Sequence, residues 1–202
     1  LEYYQNGQFS DAQKLAVSIT NDFPRHPFGW KILGAVLKQT GRVIDSLNAM
    51  QKSVKLAPQD FDAHYNLGAT FQELRRLEEA IVCYTQAIAL KPDLAEAHSN
   101  LGNTFTQLGR LEEALASCRE AISLKPEYAE AHSNLADTLK QLGRLDEAVA
   151  SYGQAISLKP DLAAAHSNMG NTLKQLGRLD EAVDSYGQAI SLKPDLAAAH
   201  SN

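Results

Sequence analysis

The chain has 202 residues, 44% hydrophobic and 21% charged, with a formal net charge of -5, which supplies enough apolar side chains for a packed core and excludes a disordered polyelectrolyte. Lys and Arg are dispersed among Asp and Glu, so the clustered basic stripe that displaces counterions from a phosphate backbone is missing and nucleic acid is not an expected partner. No apolar run approaches the ~18–20 residues of a membrane-spanning helix, so no membrane partner is expected.

The opening LEYYQNGQFSDAQK lacks the basic, apolar, small-residue order of a secretory signal. Residue 1 is Leu, so the native N-terminus is expected to be missing, and a cytoplasmic location is the default expectation. Cys83 and Cys118 sit among apolar neighbours in helical sequence, which suits small core residues in a reducing compartment.

Along the chain, Pro24, Pro58, Pro92, Pro126, Pro160 and Pro194 are each separated by 34 residues (58 − 24 = 34 and onward). This period predicts a partial unit at 1–26 (the end of a first helix, A, plus a second, B), five whole units at 27–60, 61–94, 95–128, 129–162 and 163–196, and the start of another at 197–202. Units 129–162 and 163–196 differ at only five positions, so they must fold alike.

Within 95–128, Ala97, Leu101, Phe105 and Leu108 fall on one face of a helix A, with Asp93 and Glu96 spaced as a capping box and Gly109 as its stop. Leu111, Ala114, Leu115, Cys118, Ala121, Ile122 and Leu124 make the apolar stripe of helix B, and Pro126 ends it. The two antiparallel helices are predicted to be joined by the two-residue turn Gly109-Arg110.

Trp30-x2-Leu33-Gly34, His98-x2-Leu101-Gly102-x2-Phe105, Ala80-x3-Tyr84 and Ala182-x3-Tyr186, each closed by its proline, resemble the tetratricopeptide repeat (TPR). The resemblance implies an all-α fold, a right-handed superhelical α-solenoid of 34-residue antiparallel hairpins, with helices A on the concave wall. The departures are mild: His64, His98, His132, His166 and His200 stand where the pattern has the tryptophan kept at Trp30. Ala136 replaces a glycine, Cys118 an aromatic and Ser46 an alanine. A polar capping element is not visible at either end, so the array reads as a piece of a longer protein or a chain that stacks end to end.

The strip of helix A opposite its apolar stripe carries Glu96, Asn100, Asn103 and Gln107 in one unit, Glu130, Asn134, Asp137 and Gln141 in the next, then Ala164, Asn168, Asn171 and Gln175. Asn66, Asn100, Asn134, Asn168 and Asn202 form a ladder. Asparagine is a mediocre helix former, and its amide can both donate to and accept from the backbone of an extended peptide. The ladder resembles that of the O-GlcNAc transferase and SPINDLY-type arrays, where the resemblance implies backbone capture; the alternative is that each Asn bonds the neighbouring unit and tightens the stack. Lys38, Lys140 and Lys174 half meet a carboxylate-binding pattern one position before each Gln. Unit 27–60 differs, with Phe28, Ile32, Ala35 and Gln39, and is expected to use them for packing against the partial unit before it, the alternative being an anchor for an apolar side chain of the ligand.

Nothing in the sequence assembles into a catalytic constellation or calls for a cofactor. No Gly-rich phosphate loop, nucleophile elbow or HExxH helix occurs. The recurring histidines lie a whole hairpin apart, too far to share a metal ion, and are expected to be half-buried against the next unit, where their ionisation would loosen the stack in mild acid. Glu112-Glu113, Asp146-Glu147 and Asp180-Glu181 open helix B, where the helix dipole favours acids, with Arg110, Arg144 and Arg178 as surface partners.

The function read from the sequence is a non-enzymatic scaffold that binds a peptide or partner protein through the groove residues Asn66, Asn100, Asn103, Gln107, Asn134, Asp137, Gln141, Asn168, Asn171, Gln175, Lys140 and Lys174. The alternatives are the substrate-recruiting arm of a larger enzyme, such as a glycosyltransferase of the O-GlcNAc transferase or SPINDLY kind, and a head-to-tail self-assembling array.

Overall fold

The structure is a computed structural model and describes residues 6–193. The helix A fragment expected before Gly7 and the unit start expected at 197–202, with His200 and Asn202, lie outside the described residues.

Eleven α-helices and no strand are found among the described residues. In chain order they are α1 (Phe9–Asp22), α2 (Pro27–Gln39), α3 (Val43–Leu56), α4 (Phe61–Glu73), α5 (Leu77–Leu90), α6 (Ala95–Gln107), α7 (Leu111–Leu124), α8 (Ala129–Gln141), α9 (Leu145–Leu158), α10 (Ala163–Gln175) and α11 (Leu179–Leu192). Every even-numbered helix is a helix A and every odd-numbered one a helix B. They form two compact bodies, the first running to Ala97 and the second beginning at His98.

In the first body α2 pairs with α3 and α4 with α5 as hairpins, and α1 packs on α2 and α3 on α4. In the second, α8–α9 and α10–α11 are hairpins, with α7 packed on α8 and α9 on α10. Each body is therefore an all-α solenoid segment of antiparallel hairpins. Consecutive A helices also touch each other directly, α2 with α4 and α8 with α10, whereas the B-layer pairs α3–α5 and α9–α11 do not approach to the same degree. The A layer is thus the tighter, inner wall of each body.

The connection from A to B is three residues, not two: α6 ends at Gln107 and α7 starts at Leu111, leaving Leu108, Gly109 and Arg110. The Arg110 N–H reaches the Phe105 carbonyl at 2.9 Å and the Gly109 N–H the Thr106 carbonyl at 3.1 Å, the Schellman pattern that satisfies the last carbonyls of a helix. It requires a left-handed residue after the helix, and Gly109 has φ +73°. The same bonds recur at Gly143-Arg144.

At the other end of helix A the expected capping box is displaced. Because α6 begins at Ala95 and the Ala97 N–H bonds to the Leu94 carbonyl at 3.0 Å, Asp93 lies one residue too early to cap. The matching helices α8 and α10 have Tyr128 and Leu162 as N-caps, without a side-chain bond. A carboxylate does cap α4, where Asp60 Oδ1 accepts from the Ala63 N–H at 3.2 Å.

Close approach of A to B depends on small residues. A Cβ on Gly170 would lie 2.8 Å from the Tyr186 ring, and one on Gly102 2.5 Å from Cys118 Sγ. Ala136, at the same place in its hairpin, is fully buried in a cluster with Leu115, Leu139, Ala148, Tyr152 and Ala165, so its methyl is accommodated there. Cys83 and Cys118 are buried free thiols, and burial pushes them up to about 11 and about 12. Of the stripe expected on α7, Ala114, Leu115, Cys118 and Ala121 are buried, whereas Leu124 is 38% exposed at the end of the helix.

Candidate functional site

The inner strip is positioned by the 3.6-residue period of the A helices. A buried threonine follows four residues after each ladder asparagine: Thr70, Thr104, Thr138 and Thr172 are fully buried and donate to the carbonyls of Asn66, Asn100, Asn134 and Asn168 at 2.7–2.9 Å. This satisfies the hydroxyl inside the helix and holds the asparagine half-buried on the inner face.

The ladder asparagines are not equivalent. Asn134 Nδ2 donates to Ser99 Oγ at 2.9 Å and to the Ser99 carbonyl at 3.3 Å, and its Oδ1 accepts from Asn103 Nδ2 at 3.3 Å. Its amide is engaged on both sides by the preceding hairpin. Asn168 Nδ2 donates to Asp137 Oδ1 at 3.0 Å. These bonds have the form of the inter-unit tightening weighed above as one of the ladder's two roles.

Behind the strip, phenols of helix B reach through to helix A. Tyr152 donates to Asp137 Oδ1, Tyr186 to Asn171 Oδ1 at 2.8 Å, and Tyr84 to Gln72 Oε1 at 2.8 Å. Burial drives the Tyr152 hydroxyl upward, reinforced by the Asp137 charge. Burial also raises Asp137, against the opposing pull of the Tyr152 bond, the Lys140 charge and the Asn168 bond. In hairpin 95–128, Cys118 is too short to make this reach; Gln107 Nε2 instead donates to Asn103 Oδ1 at 2.5 Å.

The outer residues of the strip remain available. Gln141, Asn171, Lys174 and Gln175 are exposed and Lys140 is half-exposed. Among the described residues the side chains of Lys140, Gln141, Lys174 and Gln175 make no hydrogen bond or ion pair, and the Asn171 side chain is bonded only through its oxygen. The sequence did not separate these positions from the engaged ones, because the distinction depends on which partner the preceding hairpin supplies.

In the strip of 27–60, Ile32 and Ala35 are half-buried and Gln39 is exposed. Ile32 and Trp30 pack on a cluster of Ala16, Leu33, Leu37 and Ala49. Phe28 stays exposed.

The histidines occupy the tryptophan's place by a shared hydrogen bond. Trp30 Nε1 donates to the Pro24 carbonyl at 2.9 Å, and His64, His132 and His166 place Nε2 at 3.0, 2.8 and 3.0 Å from the carbonyls of Pro58, Pro126 and Pro160. Each ring reaches back to the proline that closes the preceding unit. The signal was present as a fixed six-residue offset from each proline to the following Trp or His.

The A–B edge is lined by surface ion pairs: Arg42 with Asp45, Arg76 with Glu79, Arg110 with Glu113, Arg144 with Glu147 and Arg178 with Glu181. Arg76 and Arg110 also lie over the Phe71 and Phe105 rings at 4.7 and 4.6 Å. One acid in each of these first turns is thus paired with the arginine just before its helix. Among the described residues no group of His, Cys, Asp or Glu is placed to hold a metal ion, and no helix is long and apolar enough to cross a membrane.

With this geometry in place, comparison with known proteins decides the family. TPR repeat profiles match residues 73–109, 102–143, 136–177 and 170–202, and a tetratricopeptide repeat profile matches 49–82. The chain belongs to the TPR repeat family. No curated relative matches it.

Among solved structures, this TPR chain is similar to TTC0263, a thermophilic TPR protein of Thermus thermophilus, at 28% identity and a TM-score of 0.76, over 87% of this chain and 97% of that one. It is similar to MamA at 25% identity and a TM-score of 0.68, over 82% and 97%. YrrB, a TPR protein with an unusual peptide-binding site, shares the fold at 20% identity and a TM-score of 0.65, over 92% and 96%. TPR proteins are generally protein-interaction scaffolds that bind peptides or proteins.

Proposed function

We propose that this chain is a TPR scaffold that holds an extended segment of a partner protein against its inner, helix A layer. The observation that carries the reading is the set of side chains on α8 and α10 whose hydrogen-bonding capacity the fold leaves unused, Lys140, Gln141, Lys174 and Gln175, together with the amide N–H groups of Asn171. Amides that both donate and accept suit the alternating N–H and C=O groups of an extended backbone. Asn134 belongs to the supporting layer of this site, since its amide is spent on Ser99 and Asn103. Asn100, Asn103 and Gln107 would extend the strip toward the N-terminal end of the second body, and Asn66 would hold the matching place in the first. The peptide-binding site of YrrB lies on the same fold and supports the reading at that level.

The test is to select twelve-residue peptides on the intact chain by phage display and titrate the best binder. The combined Gln141→Ala and Gln175→Ala variant should bind at least about tenfold more weakly, the equivalent of a hydrogen bond or two, with an unchanged melting temperature. Unchanged affinity sinks the inner-layer site.

A further inference from the structure

The turn that leads into α1 differs chemically from the turns that follow it. Asn6 and Gly7 stand there, and Asn6 is the one asparagine of the chain followed by glycine. The corresponding pairs are Thr40-Gly41, Leu108-Gly109, Leu142-Gly143 and Leu176-Gly177, none of which brings a side-chain carbonyl to the turn. The three leucines are half-buried, whereas Asn6 and Gly7 are both exposed.

The side-chain carbonyl carbon of an asparagine can be attacked by the backbone nitrogen of the next residue, because the ring that closes has only five members. Two features decide whether it is. The first is the following residue. Gly7 has no side chain to crowd its own nitrogen, and a Cβ placed on it would meet nothing within 4 Å, so the space around the turn is open. The second is the local backbone. Every other described asparagine, from Asn21 to Asn171, lies inside an α-helix, where ψ of about −42° directs the next nitrogen along the helix ladder and away from the side-chain carbonyl carbon. Asn6 lies before α1, outside any described helix.

We propose that Asn6-Gly7 is a self-modifying site, at which the chain converts its own asparagine into aspartate and isoaspartate without an enzyme. The Gly7 nitrogen gives its proton to hydroxide and attacks Asn6 Cγ. The new N–Cγ bond closes a cyclic imide as the Cγ–Nδ2 bond breaks, and Nδ2 leaves as ammonia with a proton taken from water. Water then opens the ring. Breaking the N–Cγ bond gives aspartate on an intact main chain; breaking the bond from nitrogen to the backbone carbonyl carbon leaves the main chain running through Cβ and Cγ, which is isoaspartate, one carbon longer. Nothing is oxidised or reduced, and the sum is one water consumed and one ammonia released. Either product takes the formal net charge from -5 to -6 (−5 − 1 = −6). The new carboxylate falls just before α1, whose N-cap Gln8 makes no side-chain bond, at a helix end that favours an acid. With age the turn acquires a charge that the encoded sequence lacks.

The experiment incubates the intact chain in mildly alkaline buffer at body temperature and follows it by peptide mapping. Trypsin releases Asn6 in the segment ending at Lys14, which holds no other asparagine. That segment should gain about 1 Da and divide into aspartate and isoaspartate forms, at a rate at least about tenfold above that of any segment with a helical asparagine. Gly7→Ala should slow the conversion at least about tenfold, because its methyl crowds the attacking nitrogen, and Asn6→Gln, whose ring would need six members, should stop it on the same timescale. In urea, which melts the helices that restrain the other asparagines, Asn6 should keep its rate to within about threefold. No mass gain in this segment, or a gain that comes first in another, would overturn the site. So would aspartate without isoaspartate or an unchanged rate in Gly7→Ala, since either removes the imide, and so would a much faster rate in urea, which would mean that the folded turn shields Asn6.

Discussion

Asn168 on α10 donates to Asp137 on α8 at 3.0 Å, and the same carboxylate oxygen accepts the Tyr152 phenol from α9. One side chain thus ties a hairpin to its own helix B and to the next hairpin. The neighbouring helices have Asn103 and Asn171 at this position, so the acid is an exception whose energetic consequence can be measured.

Burial raises Asp137 more than its hydrogen bonds and Lys140 lower it, so the folded chain binds this proton more tightly than the unfolded chain. Above the folded value the carboxylate therefore costs stability, and that cost disappears as pH falls toward the ordinary carboxylate value. Asp137→Asn keeps an oxygen for both donors and removes the buried charge. It should be as stable as the wild type or more so at pH 7, by less than ~1 kcal/mol, and the difference should shrink in urea melts between pH 7 and pH 4. A growing difference in acid would reverse the sign argued here. Asp137→Ala, which strands the Tyr152 and Asn168 donors, should cost ~1–3 kcal/mol.

Four glycines of two kinds separate packing from propensity. Gly153 and Gly187 lie inside α9 and α11, where a Cβ would have nothing within 4 Å, whereas a Cβ on Gly102 would strike Cys118 Sγ at 2.5 Å and crowd the Ala114 carbonyl at 3.2 Å, and Gly170 faces Tyr186. Gly153→Ala and Gly187→Ala should each stabilise by about 1 kcal/mol. Gly102→Ala should destabilise by ~1–3 kcal/mol because the backbone carbonyl cannot yield as a side chain can. Chemical denaturation of the single variants checks both signs.

The fold was readable because the hairpins repeat their own instructions: a proline every 34 residues, a glycine between helices in all but hairpin 61–94, and apolar residues on one face. Helix existence and pairing follow from those local signals. What the sequence did not reveal were relations between hairpins. Asn134 and Asn168 share a register position, yet Ser99 and Asn103 take up one amide on both sides while Asp137 takes only the donor of the other. The back-bond from histidine to proline was in plain view as a spacing, but its meaning depends on the path of the B–A loop, which a period alone does not give. The Asp93 cap failed for a one-residue reason: Leu94 occupies the turn that the capping side chain would need.

Arg75 stands where the other A–B turns have glycine, and it adopts the left-handed φ of +60°. An L-residue there costs roughly 1–2 kcal/mol, while a glycine costs ~0.5–1 kcal/mol more in unfolded-chain entropy. Arg75→Gly should therefore gain ~0.5–1 kcal/mol, and Gly143→Ala, the reverse change at φ +74°, should lose about 1 kcal/mol. A shared loss in thermal melts would show that the Arg75 side chain contributes more than its backbone costs.

The histidines test whether the bond to a proline carbonyl holds helix A to the preceding loop. A proline carbonyl has no hydrogen to give, so Nε2 of His64, His132 and His166 must carry the proton it shares with Pro58, Pro126 and Pro160. Trp30 Nε1 makes the same bond to Pro24, so an indole serves the same place. His132→Ala should cost about 1 kcal/mol in urea melts, and His132→Trp should recover most of it. A His132→Trp variant no more stable than His132→Ala would show that the shared bond does not carry the contact between α8 and the preceding loop.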